Sequence, residues 1–494
     1  MREERAQSST NQTVRKEAKS ASLYAASTFL TYFGSLLLLP LLWIKLTPAD
    51  YGVIGVTDIL SALLGIFWGM SLEVSISRFY YDWSETDRRE KLGSVWLVAW
   101  GSAIVLGGMS IALLALVNPF VFPDVQFFPY ILLGLSQGIM GRMRQIVFAT
   151  IRIKQLPKLY LGYSVAIFSL TLITNVTFVF FLDLGLLGYY AAWNVTEVVM
   201  LVLGTLVMLR FATPRIRMRG LRESVTFALP LIPNNVISSL SSVADRILLQ
   251  RFASLEALGI YTLCLRFVQI IALVSESAKM SFAPFLFRAV SESGPAAASL
   301  IARIRMFYLI PISCAAIGIA LFIDDLVHIL GQPAYFPVGD YVPLLVGPAF
   351  ILTLSAYFAS GMLLAKRTEM LLVPTLIQLL LVVTLGVLLV PPFQTYGIIV
   401  SRYVTMIAFV GSAIYLSQRY YPIPIDRRKL SLVLLYVSLG IVAALLDYGS
   451  SGAQNVLIHV VLFGCLGGLV VITVVGPKAA TGEIRRRFRR AALL

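Results

Sequence analysis

Asp245 and Arg246 stand side by side inside the apolar stretch that runs from Ser224 to Phe252. In a helix that crosses a bilayer, such residues face a partner or a water-filled cavity, because a charge in lipid costs at least a few kcal/mol. Neighbours on an α-helix point roughly 100° apart, so the two side chains cannot simply neutralise each other. Other ionisable residues sit in apolar stretches in the same way: Asp58, Glu73, Arg78, Arg142, Arg144, Glu197, Arg266, Glu276, Lys279 and Arg402. Glu276 and Lys279, three apart on one helix, read as a self-satisfied pair. Arg78, near a helix end beside Tyr80 and Tyr81, can snorkel. Arg246, Arg266 and Arg402 share one depth, near the outer ends of their stretches. Cations so placed point to an anionic ligand in a wet cavity, and arginine forks suit phosphate oxygens. Asp58 and Glu197 have no obvious local cation. Each could carry a coupling proton or ion, or pair with an arginine, and Asp245 stands open in the same sense.

The elements that hold these charges are membrane spans. The chain has 494 residues, of which 58% are hydrophobic and 13% charged, about half the charged share of a soluble domain. Apolar runs of about 20 residues recur throughout, each long enough for a hydrocarbon core of about 30 Å. About fourteen spans are expected, near 21–46, 53–81, 92–117, 126–150, 158–182, 186–210, 224–251, 258–285, 299–323, 341–365, 369–391, 396–418, 430–447 and 455–476. The fold class is an all-α polytopic membrane protein; the ten-residue alternating segments of a β-barrel are absent from the sequence. The net charge of +15 reads as loop bias rather than as a nucleic-acid footprint. Arg88, Arg89, Lys91, Arg152, Lys154, Lys158, Arg215, Arg217, Arg427 and Arg428 fall on one side. Asp50, Asp124, Asp183, Glu256, Asp324, Asp325, Asp340 and Asp447 fall on the other, with only Lys45 and Arg251. The positive-inside rule then puts both termini in the cytoplasm, in a multi-pass cytoplasmic (inner) membrane protein. No signal-peptide cleavage pattern follows residues 1–20, so the first span is expected to be retained. The basic tail from Lys478 to Arg490 suits lipid headgroups.

Cys264, Cys314 and Cys465 lie in apolar runs as packing residues, and with only His328 and His459 beside them no metal or other cofactor is expected. Pro230 and Pro233, ahead of Asn234 and Asn235, should interrupt the seventh span. The stretch Leu46-Thr47-Pro48-Ala49-Asp50-Tyr51-Gly52-Val53 is echoed by Ala253-Ser254-Leu255-Glu256-Ala257-Leu258-Gly259-Ile260. Six spans separate the copies, an even number, which predicts parallel repeats about an axis along the membrane normal, with a site between halves. The division is a cytoplasmic N-terminal segment (1–20), a first lobe of six spans (21–210), a basic linker (211–223), a second lobe of six (224–418), two extra spans (430–476) and a basic tail (477–494).

The first copy of that motif, with Ser77-Arg78-Phe79-Tyr80-Tyr81-Asp82 and Arg88-Arg89-Glu90-Lys91-Leu92-Gly93 after it, resembles the Wzx-type polysaccharide flippases of the multidrug/oligosaccharidyl-lipid/polysaccharide (MOP, MATE-like) superfamily. Ala244-Asp245-Arg246-Ile247-Leu248-Leu249 and Leu258-Gly259-Ile260-Tyr261 fit the second half, and the resemblance covers roughly residues 18–420. It implies two six-helix lobes around a central cavity and alternating access. It also implies a polyprenyl-diphosphate-linked oligosaccharide carried from the cytoplasmic to the outer leaflet. The family's cationic cavity would fall on Arg246 and Arg266, then Arg142 and Arg402. Asn234, Asn235, Gln137, Asn175 and Asn194 could line a wet cavity for the sugars.

Such a flippase meets membrane lipids, takes a lipid-linked oligosaccharide, could couple to protons or sodium, and could touch the polysaccharide polymerase machinery. A cation-coupled drug or metabolite antiporter of the same superfamily is the alternative; it predicts an acid-dominated cavity, abolished in function by Asp58→Asn. A membrane-embedded polymerase or glycosyltransferase would need a sizeable outer loop, and the longest here, near 324–340, is an acidic cap with Asp324, Asp325, His328 and Asp340. The chain is therefore not expected to be an enzyme.

Overall fold

The computed structural model describes residues 38–293, 297–330, 332–365, 367–446 and 452–476, with Leu23, Ser27 and Leu30 ahead of them. The N-terminal segment, most of the first expected span, Asp447 and the basic tail lie outside the described residues. Each of the other expected spans has a helix at its place. In order these are α1 (Pro48–Trp68) with α2 (Leu72–Phe79), α3 (Glu85–Val121), α4 (Leu132–Ile153), α5 (Pro157–Asn175), α6 (Gly185–Phe211) and α7 (Met218–Ala228) with α8 (Leu231–Phe252). Then come α9 (Leu255–Ser293), α10 (Ala297–Leu330), α11 (Pro337–Phe358) with the single turn α12 (Gly361–Leu364), α13 (Leu372–Tyr420), α14 (Arg427–Ala444) and α15 (Gly452–Val475). The described residues contain no strand.

Among the described residues nine helices are long and apolar enough to cross a membrane, or ten when α7 and α8, bent by 45° at their junction, count as one broken span. The distance from there to fourteen has physical reasons. α13 holds two expected spans in one run, joined at Gln394 (φ 49°) just after Pro391-Pro392. α4 is made polar by Arg142, Arg144 and Gln145, and α14 has 18 residues that begin Arg427-Arg428-Lys429. The protein is a polytopic, all-helical membrane protein. α3 turns Ile104, Val105, Met109, Leu113 and Leu116 outward, an apolar surface suited to lipid tails.

The chain forms two compact units divided between Gly259 and Ile260. In the first, α1 packs on α3, α4 and α8, α4 on α6, and α2 on α4 and α7. Its core includes Leu72, Ile76, Trp96, Ile146, Val147 and Met200. In the second, α10 packs on α11, α14 and α15, and α11 on α13. Packing divides the chain inside α9 because α8 lies along α1. The six-span division at 211–223 rests on the sequence repeat and remains a proposal.

The repeated motif is a pair of helix N-caps. Thr47 Oγ1 accepts the Asp50 N–H at 3.3 Å while the Asp50 carboxylate accepts the Thr47 N–H at 2.8 Å, a reciprocal cap with Pro48 at the first turn. Ser254 Oγ accepts the Ala257 N–H at 3.0 Å at the corresponding place before α9. Pro48 and Leu255 are equivalent in the repeat, as are Gly52 and Gly259. A Cβ on Gly52 would strike the Leu255 carbonyl, and one on Gly259 would strike the Pro48 carbonyl. This reciprocal contact has the local two-fold character that a parallel repeat predicts, and only glycine permits it.

Three expectations change. Span 53–81 is not one helix: it breaks at Gly69-Met70-Ser71, where Met70 (φ 48°) and Ser71 (φ 54°) take left-handed backbone, a conformation costing about 1–2 kcal/mol per non-glycine residue. The 324–340 segment is mostly helix, since α10 runs to Leu330 and α11 starts at Pro337 around a short turn at Pro333–Tyr335. Asp324 pairs with His328 one turn on at 3.2 Å, and Asp325 with buried His459 of α15 at 2.6 Å, so two of the segment's three acids are paired where the chain continues as helix. Of the cysteines, Cys264 is buried and Cys314 half-buried, but Cys465 is exposed on α15 rather than packed.

Candidate functional site

The broken second span lines a polar cavity of about 350 Å³ within the first unit, within the size range of small-ligand pockets. Its walls come from three directions. Gly69, Ser71 and Glu73 lie at and after the break, Arg142 comes from α4, and Asn235, Ser239 and Ser242 come from α8. Residues 235, 239, 242 and 246 repeat at three- and four-residue steps, so one face of α8 carries Asn235, Ser239, Ser242 and, a turn beyond, Arg246. Asn235 Nδ2 donates to Ser71 Oγ at 3.0 Å, which pins the strained break to α8. Ser239 Oγ donates to the Ala62 carbonyl of α1 at 3.0 Å. Irregular backbone at membrane depth is tolerated where it is buried in protein or lines a wet cavity, and the break does the latter.

Glu73 and Arg142 face this cavity and act on each other electrostatically, yet among the described residues they form no direct ion pair. Arg142 Nη1 reaches Gln145 Oε1 at a long 3.4 Å. Its guanidinium lies against α1 where Gly65 has no side chain; a Cβ there would stand 2.7 Å from Nε.

The expected site residues separate into groups. Arg246 is half-buried; its Nε has no hydrogen-bond partner among the described residues, and Nη2 reaches only the Ser242 carbonyl, at 3.5 Å. Asp245 is 2% exposed and accepts the Arg246 main-chain N–H at 2.8 Å, so the side chains diverge as adjacent helix positions must. Arg144 grips Glu197 with two bonds of 2.8 Å each, which supplies the cation that Glu197 lacked in sequence. Asn194 is engaged on both sides: it donates to the Leu133 and Tyr190 carbonyls and accepts from Ser136 Oγ at 2.6 Å. Asn175 donates to the Thr171 carbonyl, Gln137 is half-buried on α4, and Asn234 and Asp58 are exposed. In the second unit Arg266 is half-buried on α9, and Arg402 Nη1 donates to Tyr261 Oη at 2.9 Å. Glu276 and Lys279 pair with each other at 2.7 Å, and in the first unit Arg78 pairs with Asp82 at 2.8 Å.

Sequence reasoning missed Arg305. It is 0% exposed, its Nη2 donates to the Ile423 and Pro424 carbonyls, and its guanidinium lies 4.3 Å from the Phe358 ring centroid. Its place near the expected start of span 299–323 made it look like one more loop cation.

A family model described as polysaccharide biosynthesis protein matches residues 18–290, more than half of the chain. The chain belongs to the polysaccharide biosynthesis protein family. The chain also shares its fold with solved transporters. It resembles "Lipid II flippase MurJ, inward closed conformation" with TM-score 0.71 and 11% identity, over 93% of this chain and 99% of that one. It is similar to the eukaryotic MATE transporter AtDTX14 (TM-score 0.57, 15% identity, 87% and 98% covered). A MOP superfamily transporter from Pyrococcus furiosus, whose structure is described as having a binding pocket of reversed polarity, gives 0.54 and 14% identity over 87% and 97%. At these identities the likeness is one of fold. No curated protein matches the chain in sequence.

Proposed function

We propose that the protein flips a polyprenyl-diphosphate-linked oligosaccharide from the cytoplasmic to the outer leaflet of the cytoplasmic membrane by alternating access, for surface polysaccharide biosynthesis, with both termini in the cytoplasm. The observation that carries this reading is a hydroxyl- and amide-lined cavity at a broken membrane helix, with Arg246 one turn beyond it and uncompensated by any carboxylate among the described residues. The diphosphate is the part of the substrate least able to enter hydrocarbon, and a guanidinium with open donors answers it. Sugars need a wet wall of neutral hydrogen-bonding groups, which α8 and the break supply. The prenyl tail can stay in lipid.

Arg142, expected on the diphosphate, shares its cavity with Glu73, so it is assigned here to the sugars. Arg266 and Arg402 remain diphosphate candidates in the second unit. A proton or sodium ion coupled through Asp58 or Asp245, and contact with the polymerase machinery, belong to the same proposal. The MOP family's alternative activity, drug antiport, calls for an acid-dominated cavity, whereas this one carries one acid and one arginine. No enzymatic step is proposed.

Complementation of a deletion strain tests the assignment. Arg246→Ala should insert at normal level and abolish surface glycan. Normal glycan from Arg246→Ala would remove Arg246 from the diphosphate site.

A further inference from the structure

A carboxylate only accepts hydrogen bonds and a guanidinium only donates them, whereas a hydroxyl does both. The first-unit cavity sets these two groups on its walls without joining them. Glu73 makes no side-chain hydrogen bond or ion pair among the described residues, and Arg142 has only its long contact to Gln145. A half-buried pair held apart in this way leaves both charges short of partners, and a bridging polar group supplies what each lacks. Two neighbouring hydroxyls on one sugar ring can donate to Glu73 and accept from Arg142. The α8 wall extends the match: the Ser239 and Ser242 hydroxyl protons are committed to the Ala62 and Ser239 carbonyls. Their oxygens are left as acceptors for further sugar hydroxyls. Ile66 and Ile146, both buried and both lining the cavity, offer an apolar patch for the C–H face of a ring.

We infer that this cavity reads an uncharged sugar ring by a pair of adjacent hydroxyls held between Glu73 and Arg142, and that Glu73 rejects sugars bearing a carboxylate. The inference rests on the transport reading above and adds the class of sugar it serves. Net charge decides it. One carboxylate and one guanidinium sum to zero, so a uronic acid gains Arg142 but meets Glu73, and an amino sugar gains Glu73 but meets Arg142. A neutral diol satisfies both. Specificity built from a repulsive group as well as attractive ones is the ordinary means of separating close analogues, and a like charge brought into a site discriminates by roughly tenfold or more.

The test uses the full chain reconstituted in phosphatidylethanolamine/phosphatidylglycerol vesicles with two fluorescent prenyl-diphosphate monosaccharides, one a hexose and the other the hexuronic acid that differs only at C6. Translocation is read as loss of accessibility to an external quencher. The wild-type protein should move the hexose at least about tenfold faster than the hexuronate. Glu73→Gln, which keeps shape and removes charge, should raise the hexuronate rate until the two agree within about twofold, and Arg142→Gln should slow the hexose. Equal wild-type rates, or a Glu73→Gln variant that lowers both rates and keeps their ratio, would overturn the sugar assignment while leaving transport intact. Movement of neither probe by the wild-type protein would overturn both. The wild-type ratio needs no variant to fold.

Discussion

Substituting alanine for Gly259 adds one methyl group where two backbones touch. Its Cβ would stand 2.7 Å from the Gly52 nitrogen and 2.9 Å from the Pro48 carbonyl carbon, and would overlap the Pro48 oxygen. At Gly52 the same change puts Cβ 2.7 Å from Leu255 Cγ, 2.9 Å from the Leu255 carbonyl carbon and into its oxygen. Ordinary contact starts near 3.4 Å, and the obstacles are mostly main chain, so no side-chain rotation relieves them. The helices must part by about 1 Å, an overpacking that costs about 1–3 kcal/mol. Alanine's better helix propensity returns about 0.5–1 kcal/mol. Gly52→Ala and Gly259→Ala should therefore each destabilise by up to about 2.5 kcal/mol. The double variant should lose less than the sum, since the first methyl opens the gap that the second enters. Gly101 on α3 has nothing within 4 Å of its virtual Cβ, so Gly101→Ala should stabilise slightly and calibrate the helix term. The assay is thermal unfolding in mild detergent, followed by tryptophan fluorescence and by monodisperse elution after heating. Wild-type melting of both glycine variants, beside a stabilised Gly101→Ala, would refute the reciprocal contact.

Two further outcomes follow from buried charge. Glu197 is 4% and Arg144 20% exposed, so removing either partner alone should cost about 3–5 kcal/mol, while Arg144→Met with Glu197→Leu should recover most of that; additive losses would show that the pair is not coupled. Arg305→Met should hold stability within about 1 kcal/mol, because a buried cation exchanged for an apolar side chain of similar length sheds its desolvation cost; Arg305→Ala should lose about 2–5 kcal/mol to the void, and equal melting of the two would contradict this packing.

Hydropathy and proline made most of the fold legible, because a bilayer imposes its length on every crossing helix. The interruption at Pro230 and the junction after Pro391-Pro392 lie where ring closure removes a helical N–H. The break at Met70 and Ser71 left no such mark: neither residue type favours left-handed backbone, and Asn235 from a distant helix holds it. The caps at Thr47 and Ser254 could be read as a repeated motif, but the glycine-to-carbonyl contact that explains its glycines exists only in three dimensions. For the site, sequence picked out Glu73, Arg142, Asn235 and Arg246 one by one. Their assembly depends on helix rotation, which the sequence pattern specifies too coarsely to say that Glu73 and Arg142 share a cavity while Arg144, two residues on, turns to Glu197.

The most direct test of the transport reading is chemical. Deleting the gene in its host and extracting the membranes should reveal a completed polyprenyl-diphosphate oligosaccharide accumulated on the cytoplasmic leaflet, with surface glycan lost and restored by the wild-type gene. Normal levels of every lipid-linked saccharide, together with altered sensitivity to cationic drugs that Asp58→Asn reproduces, would contradict it and make the chain an antiporter.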